Sequence, residues 1–327
     1  MTIFITTGYG KNIIGGADIW CNNFVENILP LVTDEYKLII DGRPLLTEPT
    51  AIYTYNNDVE IDRILSECDK IVFLHSAYKE NPIIKKWLHK TDTTFVHAFI
   101  PDMLGLKNEY ENIMTKLDWE WQRSILDNSK NIIWIGYEGD TIHKLYPNTK
   151  TITNYYQFKR NIQFNGIQNK QIGFASRCET RKNADFLDGL PSFIFSNKYD
   201  YRRMVEGSGI NTELHTFLEF DYRYHNKFFD KDFQIFHGCY TKEPFGYAIF
   251  DAVDSGKLPI LHSDWMSNID YRYRASNKNE FNHQYIRMIE DNDDTTKSEF
   301  THLKSNLEVY TNKHKWVTEI CNYLTIN

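Results

Sequence analysis

Short apolar runs recur through the first half of the chain at Ile3–Thr6, Lys37–Ile40, Ile71–Leu74, Thr94–His97 and Ile132–Ile135. Between them the apolar residues change to a helical period over about 17–29, 58–68, 81–90 and 108–127. In the first of these helices Trp20, Phe24 and Ile28 share one stripe, with Cys21, Val25 and Leu29 beside it. In the last, Ile113, Leu117, Trp121 and Ile125 recur every fourth residue. Strands that are apolar throughout, alternating with amphipathic helices, predict a parallel sheet covered on both faces. Ligands of such sheets gather at the carboxyl ends of the strands.

The segment 147–170 is rich in Asn, Gln, Thr and Lys, has little periodicity, and reads as a crossing between two domains. The pattern then resumes with a strand at Gln171–Ala175, a short helix at Ala184–Leu187, a strand at Ser192–Phe195 and a helical stretch at Tyr201–Val205. A strand at Phe233–Phe236, a helix opening near Gly246 and ending at Gly256, and a strand at Leu258–Leu261 form one strand, helix, strand unit. After a polar loop at His262–Asn277, helices are expected at Glu280–Glu290, Thr296–Tyr310 and His314–Leu324, the last with Trp316, Ile320 and Tyr323 near one face. The acidic run Glu290–Asp294 reads as a solvated loop. At 327 residues the chain exceeds the size at which one core usually divides. The expected domains are 1–155 and 156–310, with 311–327 a terminal helix that crosses back to the first.

Hydrophobic residues make up 41% of the chain, with 21 Tyr and 21 Phe, enough for two sizeable cores and unlike a disordered chain. Five scattered cysteines without a Cys-x-x-Cys pair argue for a reducing compartment and against structural zinc. The start, Met-Thr-Ile-Phe-Ile-Thr-Thr-Gly, lacks a basic leader, and no apolar run is long enough to span a membrane. A soluble, cytoplasmic protein is the expectation. The net charge of −7 gives no global attraction to nucleic acid or to an anionic membrane, so either partner needs a local basic face. Lys85, Lys86 and Lys90 are the candidates for a basic membrane-facing helix.

The chemistry concentrates in Glu243–Leu261. A Pro-Phe-Gly turn opens the helix at Gly246, and a helix N-terminus favours an anion, so Phe245, Gly246 and Tyr247 are expected at a phosphate or diphosphate. Glu243 stands just before the helix and Asp251 a little over one turn along it. Glycines 8, 10, 15 and 16 follow the first strand, but not as Gly-x-Gly-x-x-Gly, so a dinucleotide cofactor is not supported. His75 and His97 fall at carboxyl ends of predicted strands, and Asp102 follows His97 by five residues. Thr216–Lys231 interleaves aromatic and basic side chains, which suits base stacking, though core packing explains the same pattern.

Glu243, seven residues, then Asp251, set in Glu-Pro-Phe-Gly and followed by Ser-Gly-Lys-Leu-Pro-Ile, resembles the signature of retaining glycosyltransferases of the broad family four kind. That family has two Rossmann-like domains facing across a cleft (the GT-B fold), and Asp251 stands where it has Glu. The resemblance implies a nucleotide-sugar donor, a UDP-sugar in the first instance, as co-substrate, with no cofactor or metal required. It implies sugar-hydroxyl contacts for Glu243 and a ribose contact for Asp251. Arg177 and Lys182, in the turn Ser176–Asn183, match the pair that neutralises the donor diphosphate. His97 would meet the sugar, and Gly15 and Gly16 would bring backbone to the donor; Asp102, read from its place after His97, is either a proton acceptor for the acceptor hydroxyl, if its loop folds back, or a turn residue after Pro101. Front-face attack, with the leaving phosphate deprotonating the acceptor, is the mechanism that goes with retention in that family.

A narrower resemblance, in Arg177 with Lys182 and in Tyr247–Ile260, is to the DNA α-glucosyltransferases of T-even bacteriophages and other hydroxymethylcytosine glycosyltransferases. It implies double-stranded DNA as partner and glucosyl or arabinosyl transfer to 5-hydroxymethylcytosine. The alternative is a transferase that builds cell-envelope polysaccharide: lipopolysaccharide, capsule or teichoic acid. A non-enzymatic sugar-binding protein is the third reading, weighed down by the donor motif.

Overall fold

A computed structural model describes residues 1–6, 16–40, 51–53, 57–74, 80–97, 116–135, 143, 145–152, 154–178, 182–221, 225–241, 243 and 245–324. The chain forms two compact units, Met1–Asn154 with Lys313–Asn327, and Tyr155–Asn312.

The first unit is built on a parallel sheet of β1 (Thr2–Thr6), β2 (Tyr36–Ile40), β3 (Ala51–Tyr53), β4 (Lys70–Phe73), β5 (Asp92–His97), β6 (Asn131–Ile135) and β7 (Lys150–Ile152). The order across the sheet is β3-β2-β1-β4-β5-β6-β7. The period-two geometry of a strand sends alternate side chains of β1 to opposite faces. Ile3 and Ile5 join a core with Ile61, Ile64 and Leu65 of α2 (Asp58–Glu67), Ile84 of α3 (Pro82–Trp87), and Trp121 and Ile125 of α4 (Lys116–Asn128). Phe4, on the other face, meets Phe24 of α1 (Gly16–Asn27) at a centroid distance of 5.8 Å, and Phe24 meets Trp20 at 5.4 Å. The basic candidates on and after α3 are already engaged. Lys85 pairs with Glu80 at 2.8 Å, Lys86 with Asp62 at 2.9 Å, and Lys90 lies 4.8 Å from the Trp87 ring.

The second unit repeats the plan with β8 (Ile172–Ala175), β9 (Ser192–Ser196), β10 (His215–Glu219), β11 (Ile235–Gly238), β12 (Leu258–His262) and β13 (Arg274–Ala275), ordered β10-β9-β8-β11-β12-β13 and all parallel. In both sheets the chain lays strands outward in one direction, returns, and continues in the other. The reversal falls between β1 and β4 in the first and between β8 and β11 in the second. The helices are α5 (Lys198–Ser208), α6 (His225–Phe229), α7 (Tyr247–Asp254), α8 (Lys278–Glu290) and α9 (Asp293–Leu307). A Cβ on Gly173 of β8 would lie 2.2 Å from the Phe233 ring, so only glycine lets that ring lie against the strand.

Several elements depart from the sequence pattern. β7 lies inside the stretch read as an interdomain crossing, and β13 inside the polar loop. The helix expected at Tyr201–Val205 runs over Lys198–Ser208, capped by Asn197 Oδ1, which accepts the Asp200 amide at 2.8 Å. The acidic run is exposed except for the half-buried Asp291, but only Asp291 and Asn292 lie outside the two helices. Asp291 accepts from Arg272 Nε at 3.0 Å and Tyr273 Oη at 2.8 Å, Asn292 caps α9, and Asp293 and Asp294 occupy its first turn, where acids suit the helix dipole. The terminal helix α10 (Lys313–Leu324) packs in the first unit, where Lys70 Nζ donates to the Leu324 carbonyl at 2.8 Å. Its buried face is Trp316, Ile320 and Leu324, whereas Tyr323 is exposed.

Candidate functional site

The reversal between β8 and β11 brings two segments together at the carboxyl ends of the strands, the place where such sheets take their ligands. After β8 the chain gives Arg177, which is exposed, and reaches Lys182, which is buried. After β11 it gives Cys239, Tyr240 and Thr241, then Glu243 and the start of α7.

Asn183 fixes the first segment to the second. Its φ of 50° lies in the left-handed region, which Asn tolerates better than most residues. Its Nδ2 donates to the Cys239 carbonyl at 2.8 Å and to Thr241 Oγ1 at 3.0 Å. Its own carbonyl accepts from His237 Nε2 at 2.8 Å, while His237 Nδ1 accepts the Cys239 amide at 3.2 Å. That pattern defines one neutral tautomer of His237. The ring is fully buried, and the loss of solvation brings its pKa down to about 4.

Lys182 therefore enters the site from a tethered turn. Its ammonium lies 4.3 Å from the centroid of the Tyr240 ring and donates to Glu243 Oε2. Both partners of this ion pair are nearly enclosed, with side-chain exposures of 8% and 11%. The cation expected at a diphosphate and the carboxylate expected at a sugar thus meet each other.

Gly246 opens α7 with φ +78° and ψ 55° and without a side-chain cap. A Cβ there would lie 3.0 Å from Ile249 Cδ1, 3.1 Å from Trp265 Nε1 and 3.3 Å from Glu243 Cγ. The backbone is thus wedged between Glu243 and the buried Trp265, whose Nε1 donates to the Phe245 carbonyl at 3.2 Å. Phe245 stacks on Phe250 at 4.4 Å, and Tyr247 is partly exposed at the first turn. Ile249, Phe250 and Val253 form the fully buried stripe of α7.

Asp251 has both oxygens engaged. Tyr156 Oη donates to Oδ1 at 2.6 Å, and His225 Nε2 lies 2.9 Å from Oδ2. Burial and the two nearby carboxylates, Asp251 and Asp254, push the Tyr156 phenol far above its ordinary pKa, so it remains a donor. Asp254, one turn on and buried, accepts backbone amides from Lys159 at 2.9 Å, Arg160 at 3.0 Å and Asn161 at 2.7 Å. These contacts tie the segment after Tyr155 to α7.

Tyr156 and Tyr240 carry no local motif, and Asn183, His225 and Asp254 lie inside the stretches Ser176–Asn183, Thr216–Lys231 and Tyr247–Ile260 without being singled out as site residues. The left-handed turn at Asn183 and the buried Asp254 are visible only once β8, β11 and α7 are assembled. His97 ends β5 in the first unit, and Gly16 begins α1. Gly15, Asp102 and His75 lie outside the described residues. Among the described residues no three His, Cys, Asp or Glu side chains are grouped to hold a metal ion, and no helix is long and apolar enough to cross a membrane.

No family model matches the sequence, and no curated protein does. Solved structures do. Anabaena HepE in complex with UDP and glucose matches over 99% of both chains at 12% identity, with a TM-score of 0.70. T4 phage BGT in complex with its UDP-glucose substrate matches over 99% of both chains at 12% identity, with a TM-score of 0.59. S. aureus TarM matches 82% of this chain and 58% of its own at 16% identity, with a TM-score of 0.59. These likenesses establish the fold, two Rossmann-like parallel α/β domains of the GT-B type.

Proposed function

We propose, on the premise of that fold, that the chain is a retaining glycosyltransferase that moves a sugar from a UDP-sugar to an acceptor hydroxyl. The observation that carries the reading is the meeting of Lys182 and Glu243 beside the glycine-opened α7, at the carboxyl ends of β8 and β11 where the strand order reverses. As the glycosidic bond breaks, negative charge grows on the departing diphosphate. Lys182, Arg177 and the backbone at Phe245, Gly246 and Tyr247 stabilise that charge where it develops. Glu243 takes the sugar hydroxyls, and Asp251, oriented by Tyr156 and His225, takes the ribose. A sugar contact for His97 and a role at the donor for the Gly15–Gly16 backbone rest on the family resemblance alone, and a role at the acceptor for Asp102 on its place after His97. The leaving phosphate removes the acceptor proton in a front-face reaction. The enzyme works in the cytoplasm and needs no resident cofactor.

The acceptor favoured by the Arg177–Lys182 and Tyr247–Ile260 motifs is 5-hydroxymethylcytosine in duplex DNA. One observation favours a second reading, a cell-envelope polymer: TarM has been solved with alpha-GlcNAc-glycerol and UDP. The test is transfer of label from a panel of UDP-sugars to hydroxymethylated DNA, to unmodified DNA and to a glycerol-phosphate polymer. It is run with and without Mn2+, because T4 phage BGT has been solved with UDP and Mn2+. Label on hydroxymethylated DNA alone supports the first acceptor and label on the polymer the second. Failure to transfer or hydrolyse any nucleotide-sugar, with no binding of UDP, would overturn the enzyme reading. The anomeric configuration of the product, read by proton NMR, tests retention.

A further inference from the structure

Tyr240 follows β11 by two residues, and its side chain is enclosed. Its ring is used on several sides. Phe174 meets it edge-on at 6.0 Å, His237 stacks at 5.8 Å, and the Lys182 ammonium lies 4.3 Å from its centroid. Its hydroxyl is different, because Oη is buried and has no hydrogen-bond partner among the described residues. Native proteins leave few buried polar groups in that condition, since the lost hydration is not recovered. Phenylalanine would supply the same ring without this cost. Desolvation, with the carboxylate of Glu243 next in weight, drives the phenol well above its ordinary pKa, so the group is a permanent donor.

We propose that Tyr240 is a further donor-site residue, whose ring seats the Lys182 ammonium and whose O–H is held for a phosphate oxygen of a nucleoside diphosphate arriving at the Lys182–Glu243 pair. This rests on the glycosyltransferase reading. A phosphate oxygen that takes Lys182 comes to the ammonium lying over this ring, and a charged acceptor rewards a neutral O–H donor more than water does. The arrangement also accounts for the tether at Asn183 and His237, which holds the Lys182 turn against the Cys239–Thr241 segment.

The test compares wild type with Tyr240→Phe, which deletes one oxygen and keeps the ring. UDP affinity is measured by calorimetry and stability by thermal denaturation. The expected result is about tenfold weaker UDP binding, the weight of one charge-assisted hydrogen bond, with a thermal midpoint equal to or above that of wild type. A residue serving only structure would not separate the two readouts in that direction. Tyr240→Leu, which also removes the seat of Lys182, should weaken UDP further. Wild-type UDP affinity in Tyr240→Phe would overturn the inference and leave the enzyme reading standing. Absence of UDP binding by the wild type would overturn the enzyme reading itself.

Discussion

Glu243→Gln is the sharpest probe of the site, because the ion pair gives it a sign that a simple sugar contact does not. Lys182 and Glu243 have side-chain exposures of 8% and 11%, so their attraction is little screened by solvent. Removing one partner of a buried pair outright costs about 3–5 kcal/mol. Gln keeps the shape and an acceptor for the ammonium, so a loss of roughly 2 kcal/mol is expected, or about 4–8 °C in thermal midpoint for a domain of this size. UDP must take Lys182 away from a carboxylate in the wild type, but only from an amide in the variant. UDP affinity should therefore rise about tenfold, equivalent to ~1.4 kcal/mol. Turnover of the UDP-sugar should fall by about two orders of magnitude as the sugar loses its charged acceptor. Calorimetric titration of UDP, steady-state kinetics and a melting curve read all three. Unchanged or weaker UDP binding in a folded variant would refute the competition between Glu243 and the diphosphate.

Other consequences follow from the same geometry. Gly246→Ala forces a left-handed alanine against Ile249, Trp265 and Glu243, and should cost about 1–3 kcal/mol by denaturation and lower kcat/KM as Glu243 is displaced. His237, neutral in the fold with a pKa of about 4, has a folded pKa below its unfolded one, so its contribution is complete above about pH 6.5 and is lost as pH falls towards 4. The loss is on the order of 3 kcal/mol, and a His237→Gln variant followed by denaturation across that window should show a flatter slope. Asp254→Asn replaces an acceptor of three backbone amides by a group that is half donor, and should destabilise the second unit by about 2–4 kcal/mol in urea titrations.

The alternation of apolar strands with amphipathic helices was readable because each buried strand carries its own pattern. Ile3–Ile5 and Ile71–Phe73 are apolar whatever they pair with, and both sit inside the sheet. The strands that were not readable, Ala51–Tyr53, Lys150–Ile152, His215–Glu219 and Arg274–Ala275, all lie at the sheet edges. They owe their conformation to the neighbour they bond, as Lys150–Ile152 does to Ile133–Ile135, and not to a period of their own. The helix Lys198–Ser208 buries none of its residues completely, so its apolar stripe is faint, and the Asn197 cap is its stronger signal.

The candidate site divides in the same way. Glu243, Gly246 and Asp251 were legible because a turn, a helix start and one helical turn fix their spacing locally. Lys182 was read from its own turn, but its pairing with Glu243 was not, and neither was Tyr156 as a partner of Asp251. Lys182 stands 61 residues from Glu243 and is joined to it by the return of the chain at the β8–β11 reversal, and Tyr156 stands 95 residues from Asp251. This changes the chemistry that a motif alone suggests. A Lys and a Glu read separately are two ligand contacts; read together they are one ion pair, which under the proposed function a donor would have to open. A Tyr between them in the sequence is unremarkable until its ring is found against the Lys and its hydroxyl without a partner among the described residues. If the pair is what the donor opens, salt should affect UDP binding by wild type and by Glu243→Gln differently, because only in the wild type does the nucleotide replace one anion by another at Lys182.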